Sequence, residues 1–191
     1  IIPQIARNLT ESATLEIPKE CPVCHGEAVI RQENDVEALY CINKECPAKK
    51  IKSFTLFVSR DAMNIDGLSE ASLEKFIASG FLKDFGDLYE LSRYEEEIVQ
   101  MEGFGQKSYD NLIASIEKSR KTTLPRVLYS LGILNVGIAN AKLICKAFDY
   151  KLETIRKAKE EEISAIDGIG PVIAKSITEY FRDSEHERML D

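Results

Sequence analysis

A short hairpin signature recurs four times along this chain, at Ile65-Asp-Gly-Leu-Ser69, Met101-Glu-Gly-Phe-Gly105, Ile133-Leu-Asn-Val-Gly137 and Ile166-Asp-Gly-Ile-Gly170. With Ser69, Gly105, Gly137 and Gly170 taken as equivalent, the copies are 36, 32 and 33 residues apart. Self-similarity at such a period marks a repeated supersecondary unit. The register extends on both sides of the turn. Leu68, Phe104, Val136 and Ile169 stand one residue before these four positions, and Ile65, Met101, Ile133 and Ile166 four before them. Phe76, Leu112, Ile144 and Ile177 stand seven after them, and Gly80, Ile116, Phe148 and Phe181 eleven after them. Residues four and seven apart share one face of a helix. Each unit is therefore expected to be a helix, a tight turn, and an amphipathic helix packed back over that turn.

The glycines have a mechanical role. Two glycines flanking one apolar residue allow a sharp turn with positive φ and leave the backbone amides uncovered. Those amides, with the free N–H groups that open the next helix, form a concave donor set suited to a phosphate oxygen. Asn135 replaces the first glycine of the third unit, and Asn is the next most tolerant residue at positive φ. Ser69 replaces the second glycine of the first unit, which makes that unit the weakest phosphate candidate. The alternative is four purely structural helix turns, since Gly is common at helix ends. Four copies in register favour the helix-hairpin-helix pattern of DNA-backbone binders. The candidate DNA-binding residues are Gly67, Gly103, Gly105, Gly137, Gly168 and Gly170, with Lys107, Lys142 and Lys175 beside them. Lys142 and Lys175 occupy equivalent positions where the first two units carry Glu74 and Asp110, so units three and four should be kinder to phosphate. Ordinary solvated helix lysines are the competing explanation.

Ahead of the repeats lie Cys21-Pro-Val-Cys24, sixteen residues, and Cys41-Ile-Asn-Lys-Glu-Cys46. Two close cysteine pairs on tight loops, separated by a partly β-like stretch, read as a zinc ribbon or finger in which four thiolates close a tetrahedral site. Such a site is structural, and a module this small depends on its metal for folding. Two disulfides are the alternative. Cys21-Pro-Val-Cys24-His25 also matches the haem-attachment pattern, but the second cysteine pair at ligand spacing argues for zinc and leaves His25 at the surface or beside the ligands. Cys145 aligns with the packing positions Ile77, Ile113 and Thr178 and is expected to be a buried, inert thiol.

The 191 residues, 44% hydrophobic, suit one ordinary domain with a small appendage, and no run is long and apolar enough to span a membrane. No export signal is recognisable, so a reducing intracellular home is expected. The net charge of −7 argues against binding nucleic acid by bulk electrostatics. Binding through amides and helix termini would be modest and strongly salt-dependent. The acidic runs Glu95-Glu-Glu97 and Glu160-Glu-Glu162 fall between hairpins, on an expected solvated face.

In order along the chain, residues 1–15 look like the last strand and exit linker of a preceding domain, with no initiator Met. Residues 16–52 form the zinc module, and residues 53–191 the all-α hairpin domain. A helix is expected over 53–63 with Ser53 as N-cap and Phe54, Phe57 and Val58 inward. Short helices should fill 81–99, with Ser92 and Glu95 as a capping box. Longer ones should cover 106–119 and 171–181, and Pro125 suits a helix first turn. No phosphate-binding P-loop, paired acidic metal motif or nucleophilic triad is recognisable, so no catalytic residue is placed on this chain.

This order of parts resembles the C-terminal half of bacterial NAD-dependent DNA ligases. The resemblance rests on the cysteine frame Cys21/Cys24/Cys41/Cys46 with Cys46-Pro-Ala, on Phe57-Val-Ser-Arg-Asp-Ala-Met-Asn-Ile-Asp-Gly-Leu68 and on Leu131-Gly-Ile-Leu-Asn-Val-Gly137. Ile1-Ile-Pro-Gln-Ile looks like the end of that family's OB-fold. The resemblance implies a cytoplasmic nick-sealing enzyme of replication and repair, whose adenylated lysine, NAD and magnesium belong to missing domains. This part would hold structural zinc and grip nicked duplex DNA from the minor groove without base readout. The competing classes are a hairpin scaffold for a protein partner and the DNA-binding part of a repair nuclease.

Overall fold

A computed structural model describes residues 7, 9, 16–33, 36–184 and 186. The expected OB-fold strand at the start of the chain lies outside the described residues. Contacts divide the chain into two compact units, Ile1–Lys49 and Lys50–Asp191.

The first unit is a two-stranded antiparallel ribbon, β1 (Ala28–Glu33) and β2 (Val36–Cys41), with Ala28 opposite Cys41 and Glu33 opposite Val36. Each strand carries two β-branched or aromatic residues, Val29 and Ile30 in β1 and Val36 and Tyr40 in β2, which suit a pleated pair. A bridge between Glu20 and Glu27 closes the loop that carries the first cysteine pair. Among the described residues of this unit only Cys21 and Cys46 are buried, while Ile17, Val23, Ile30, Leu39 and Ile42 are exposed. The described residues of this unit form no hydrophobic core, and the buried pair that holds the ribbon's loops is Cys21 and Cys46.

The second unit is helical, with α1 (Pro47–Val58), whose first three residues belong to the first unit, α2 (Glu70–Ala78), a 3₁₀ helix (Phe85–Tyr94), α3 (Glu95–Gln100), α4 (Gln106–Ser119) and α5 (Leu124–Ser130). It continues through α6 (Ile138–Ala147), α7 (Leu152–Lys157), α8 (Glu160–Ser164) and α9 (Pro171–Arg182). The hairpins lie between α1 and α2, α3 and α4, α5 and α6, and α8 and α9. Phe76, Leu112, Ile144 and Ile177, one from the helix after each turn, are fully buried at 0% exposure. That is the result the shared register requires of a helix folded back over its turn.

The hairpins pair. Hairpins one and two enclose one core, built on Phe54, Phe57, Leu73, Phe76, Leu112 and Ile116. Hairpins three and four enclose a second, built on Leu128, Ile133, Ile144, Ile155, Ile163 and Ile177. The first is knit by aromatic contacts such as Phe57 stacked on Phe85 at 4.3 Å and Phe76 against Phe104 at 5.2 Å. Arg126 on α5 ties the halves together, its Nε donating to the Ala62 carbonyl at 2.8 Å and its Nη2 to the Arg60 carbonyl.

Two local expectations are corrected. The first helix is α1, which starts at Pro47 and stops at Val58, so Ser53 lies in mid-helix and donates to the Lys50 carbonyl at 2.8 Å. Serine can bond back to its own helix as well as cap one, and Pro47 supplies the start. Ser92 does not cap either, because it lies within the 3₁₀ helix, whose N-cap is Asp84 in a reciprocal pairing with Asp87. The acidic runs also have a more specific role than solvation. Each fills the first turn of α3 or α8, where carboxylates complement the helix dipole.

Candidate metal centre and nucleic-acid interface

The first cysteine pair sits on a knuckle that folds on its own backbone. The Cys21 amide donates to the Gly26 carbonyl at 2.8 Å, and the His25 amide returns to the Cys21 carbonyl at 2.9 Å. The reversal puts His25 at φ 54°. In the second pair, the Asn43 side chain accepts from the Glu45 amide at 2.9 Å, and the Cys46 amide donates to the Asn43 carbonyl at 3.4 Å. These two turns bring the four Sγ atoms within 4.8 Å of one another. Cys21 and Cys46 are 3.9 Å apart and Cys24 and Cys41 3.5 Å. A tetrahedral ion with Zn–S bonds near 2.3 Å has sulfur–sulfur edges of about 3.8 Å, so the set fits zinc. A disulfide needs sulfurs about 2.05 Å apart, far closer than these free thiols.

The surroundings favour thiolates at the first knuckle. The Gly26 amide, followed by the Asn43 side chain, brings the Cys24 thiol down to about 6. The backbone amides of Cys24 and Val23 lower Cys21. Desolvation pushes Cys41 up to about 11. A cluster in which some sulfurs ionise readily and a close neighbour resists needs a cation to hold all four as ligands. Gly26 is part of this site, because a Cβ there would stand 3.3 Å from Cys24 Sγ and 3.1 Å from Asn43 Cβ. Sequence reasoning passed over Gly26 and Asn43, although a glycine two residues beyond a Cys-x-x-Cys pair is a readable signal of crowding at the sulfur.

At the hairpins the two glycines do different jobs. The first position carries positive φ throughout: 95° at Gly67, 88° at Gly103, 64° at Asn135 and 84° at Gly168. The second is not left-handed. Ser69, Gly105, Gly137 and Gly170 are the N-caps of α2, α4, α6 and α9, all with extended backbone. A Cβ at Gly105, Gly137 or Gly170 would meet nothing within 4 Å. Conformation and packing therefore leave these three residues free to be anything, and their bareness keeps the helix amides open. No side chain caps those three helices, whereas Ser69 Oγ accepts from the Ser72 amide at 3.1 Å and closes the first hairpin. The first hairpin is also engaged elsewhere. Its Asp66 amide donates to Ser115 Oγ at 2.8 Å, and Gly67 lies against Leu112.

The three turns with open ends close alike, through bonds from Phe104 to Met101, Val136 to Ile133 and Ile169 to Ile166 at 2.9–3.0 Å. Of the lysines singled out, Lys107, Lys142 and Lys175 are all exposed on the helices that follow these turns, and Lys175 lies 3.7 Å from Glu179. The second hairpin is the more acidic, with Gln106 bridging Glu95 and Asp110, and it gains a cation from Lys75, which donates to the Glu102 carbonyl at 2.8 Å. The four hairpin ends thus differ in their surroundings. The first is closed by Ser69, the second has Glu95 and Asp110 as well as Lys75 and Lys107 nearby, and the third and fourth are followed by Lys142 and Lys175.

Among the described residues no helix is long and apolar enough to cross a membrane. A family model for the NAD-dependent DNA ligase C4 zinc finger domain matches residues 20–48, which contain all four clustered cysteines. A second, for the helix-hairpin-helix motif, matches residues 126–190, the segment that forms the second core. The chain is 54% identical to the DNA ligase of Lachnoclostridium phytofermentans over its full 191 residues, and 55% identical over 185 residues to that of Ruminiclostridium cellulolyticum. With the DNA ligase of Bacillus subtilis the identity is 40% over an alignment of 196 positions. The chain spans 28–29% of the length of these relatives. A C4 zinc module, bare-ended hairpins and matching relatives point one way: the chain belongs to the NAD-dependent DNA ligase family, as its zinc-finger and helix-hairpin-helix portion.

Proposed function

We propose that this chain is the part of a nick-sealing, NAD-dependent ligase that holds duplex DNA, in the bacterial cytoplasm during replication and repair. Adenylation by NAD, with magnesium, belongs on this proposal to ligase domains outside this span. Cys21, Cys24, Cys41 and Cys46 hold a structural zinc ion. The hairpins take backbone phosphates from the minor-groove side of a nicked duplex, which positions the DNA without reading its sequence. The observation that carries this is the trio of glycine N-caps whose Cβ space is empty and whose helix amides no side chain occupies. The contacts fall at Gly103 and Gly105 with Lys107, at Gly137 with Lys142, and at Gly168 and Gly170 with Lys175. Gly67 contributes least, because its hairpin is sealed.

The test is binding of the zinc-loaded chain to nicked and intact duplexes of two unrelated sequences, from 50 to 200 mM salt. The expected result is sequence-independent affinity that falls steeply with salt, with a slope of about 0.9 per phosphate contacted. Absence of duplex binding at the lowest salt overturns the proposal. Full-length parent enzyme is expected to join nicks with NAD and to lose this when the hairpin portion is deleted.

A further inference from the structure

Three surface clefts among the described residues of this acidic chain contain carboxylates. One contains Glu95, Glu96 and Glu97, another Glu16 and Glu37, and a third Glu153 and Glu162. A further cleft of about 460 Å³, between the turn that follows α1 and the α4–α5 connection, has no carboxylate in its lining. Its polar walls are Lys118, Lys121 and Arg126, with Thr122, Thr123 and Asn64. Among the described residues none of these three cations forms an ion pair with a carboxylate. Glu117, next to Lys118 on α4, has both oxygens taken by Arg120 Nε at 3.0 Å. Lys118 and Lys121 have no side-chain hydrogen bond or ion pair among the described residues.

Arg126 is held by the two carbonyls it shares with the turn after α1, so its guanidinium is oriented before any ligand arrives. An oriented guanidinium beside two unpaired ammonium groups and two hydroxyls suits a tetrahedral oxyanion carried on a larger polyanion. Crowded like charges repel when the cleft is empty, and an anion relieves that repulsion. We propose that this cleft binds a phosphodiester of the duplex that the hairpins grip, as a backbone contact outside the hairpins themselves. It rests on duplex binding by this portion.

The test follows backbone amides of the labelled, zinc-loaded chain by NMR during titration with a short nicked duplex and, separately, with inorganic phosphate. In parallel, the variant K118Q/K121Q, altered at two exposed positions, is measured for affinity and salt slope. Expected are duplex-induced shifts at residues 118–126 and at the hairpin glycines. The variant should bind on the order of tenfold more weakly, with its salt slope lowered by about 1–2. Shifts at the hairpins alone, with unaltered binding by the variant, overturn the cleft and leave the hairpin grip intact. Shifts at residues 118–126 alone uphold the cleft and overturn the hairpins. Response there to phosphate but not to duplex marks a small-anion site and overturns the proposal, and silence in both regions overturns both ideas.

Discussion

Replacing Gly105, Gly137 and Gly170 by Asp separates the stability of the fold from the hold on phosphate proposed for it. Each is an N-cap with extended backbone and empty space where a Cβ would go. An Asp there accepts from the first-turn amides and complements the helix dipole, which is worth about 0.3–1 kcal/mol over Gly. Three such changes raise stability by about 1–3 kcal/mol, or roughly 2–10 °C in melting temperature for a chain of this size. The same carboxylate stands where a phosphate oxygen would lie. Two like charges about 5 Å apart repel by about 1–3 kcal/mol between bulk water and an effective dielectric near 20. Each substitution should therefore weaken duplex binding roughly fivefold to a hundredfold. Calorimetry reports the first effect, and fluorescence anisotropy with a labelled nicked duplex at 50 mM salt the second. Ser69→Asp is the internal control and should change binding little, since Ser69 Oγ already occupies the Ser72 amide. A triple variant that melts higher yet binds as tightly as the parent would refute the assignment of these amides to phosphate.

Removing zinc by chelation, or Cys21→Ser, should collapse the NMR signals of β1 and β2 while those of the helical unit persist, because the ribbon buries little but its cysteines; a ribbon that keeps its signals without metal counts against the site. Gly168→Ala should cost about 1–2 kcal/mol in urea unfolding, since it forces φ 84° on a side chain 3.2 Å from Leu143 Cδ1, whereas Gly170→Ala should cost less than about 1 kcal/mol; equal costs would contradict the division of labour between the two glycines. Cys145 is fully buried, and desolvation pushes its thiol from 9.0 up to about 11. Its alkylation should track global unfolding, and its contribution to stability, complete below pH 9, should fade as the pH rises through about 11; rapid labelling of the folded chain at pH 8 would exclude this burial.

The repeat was readable because apolar spacing and glycine placement both follow from local geometry. The burial of Phe76, Leu112, Ile144 and Ile177 is the direct image of one periodicity. The cysteine cluster was readable for the same reason, since two short loops dictate where their sulfurs meet. What the sequence concealed depends on contacts between distant segments. That the hairpins pair into two cores is decided by which helix lies over which turn, as when Ser115 of α4 reaches the Asp66 amide of the first hairpin. The division between positive φ at the first glycine and a bare cap at the second was equally hidden, because one letter serves both needs. Ser53 and Ser92 are not caps: Ser53 bonds back to the Lys50 carbonyl of its own helix, and Ser92 lies inside a 3₁₀ helix that begins earlier, at Phe85.

The presence of two closed cores on one chain bears on how an acidic protein can hold a polyanion at all. Each pair of hairpins has its own buried centre, and Arg126 bonds from the second pair to the turn after α1 in the first. On the proposed function, two weak grips joined in this way would act with avidity: once one pair engaged the duplex, the other would meet its phosphates at high effective concentration. Loss of one pair should then cost far more than half of the holding power, even though neither pair alone need bind tightly.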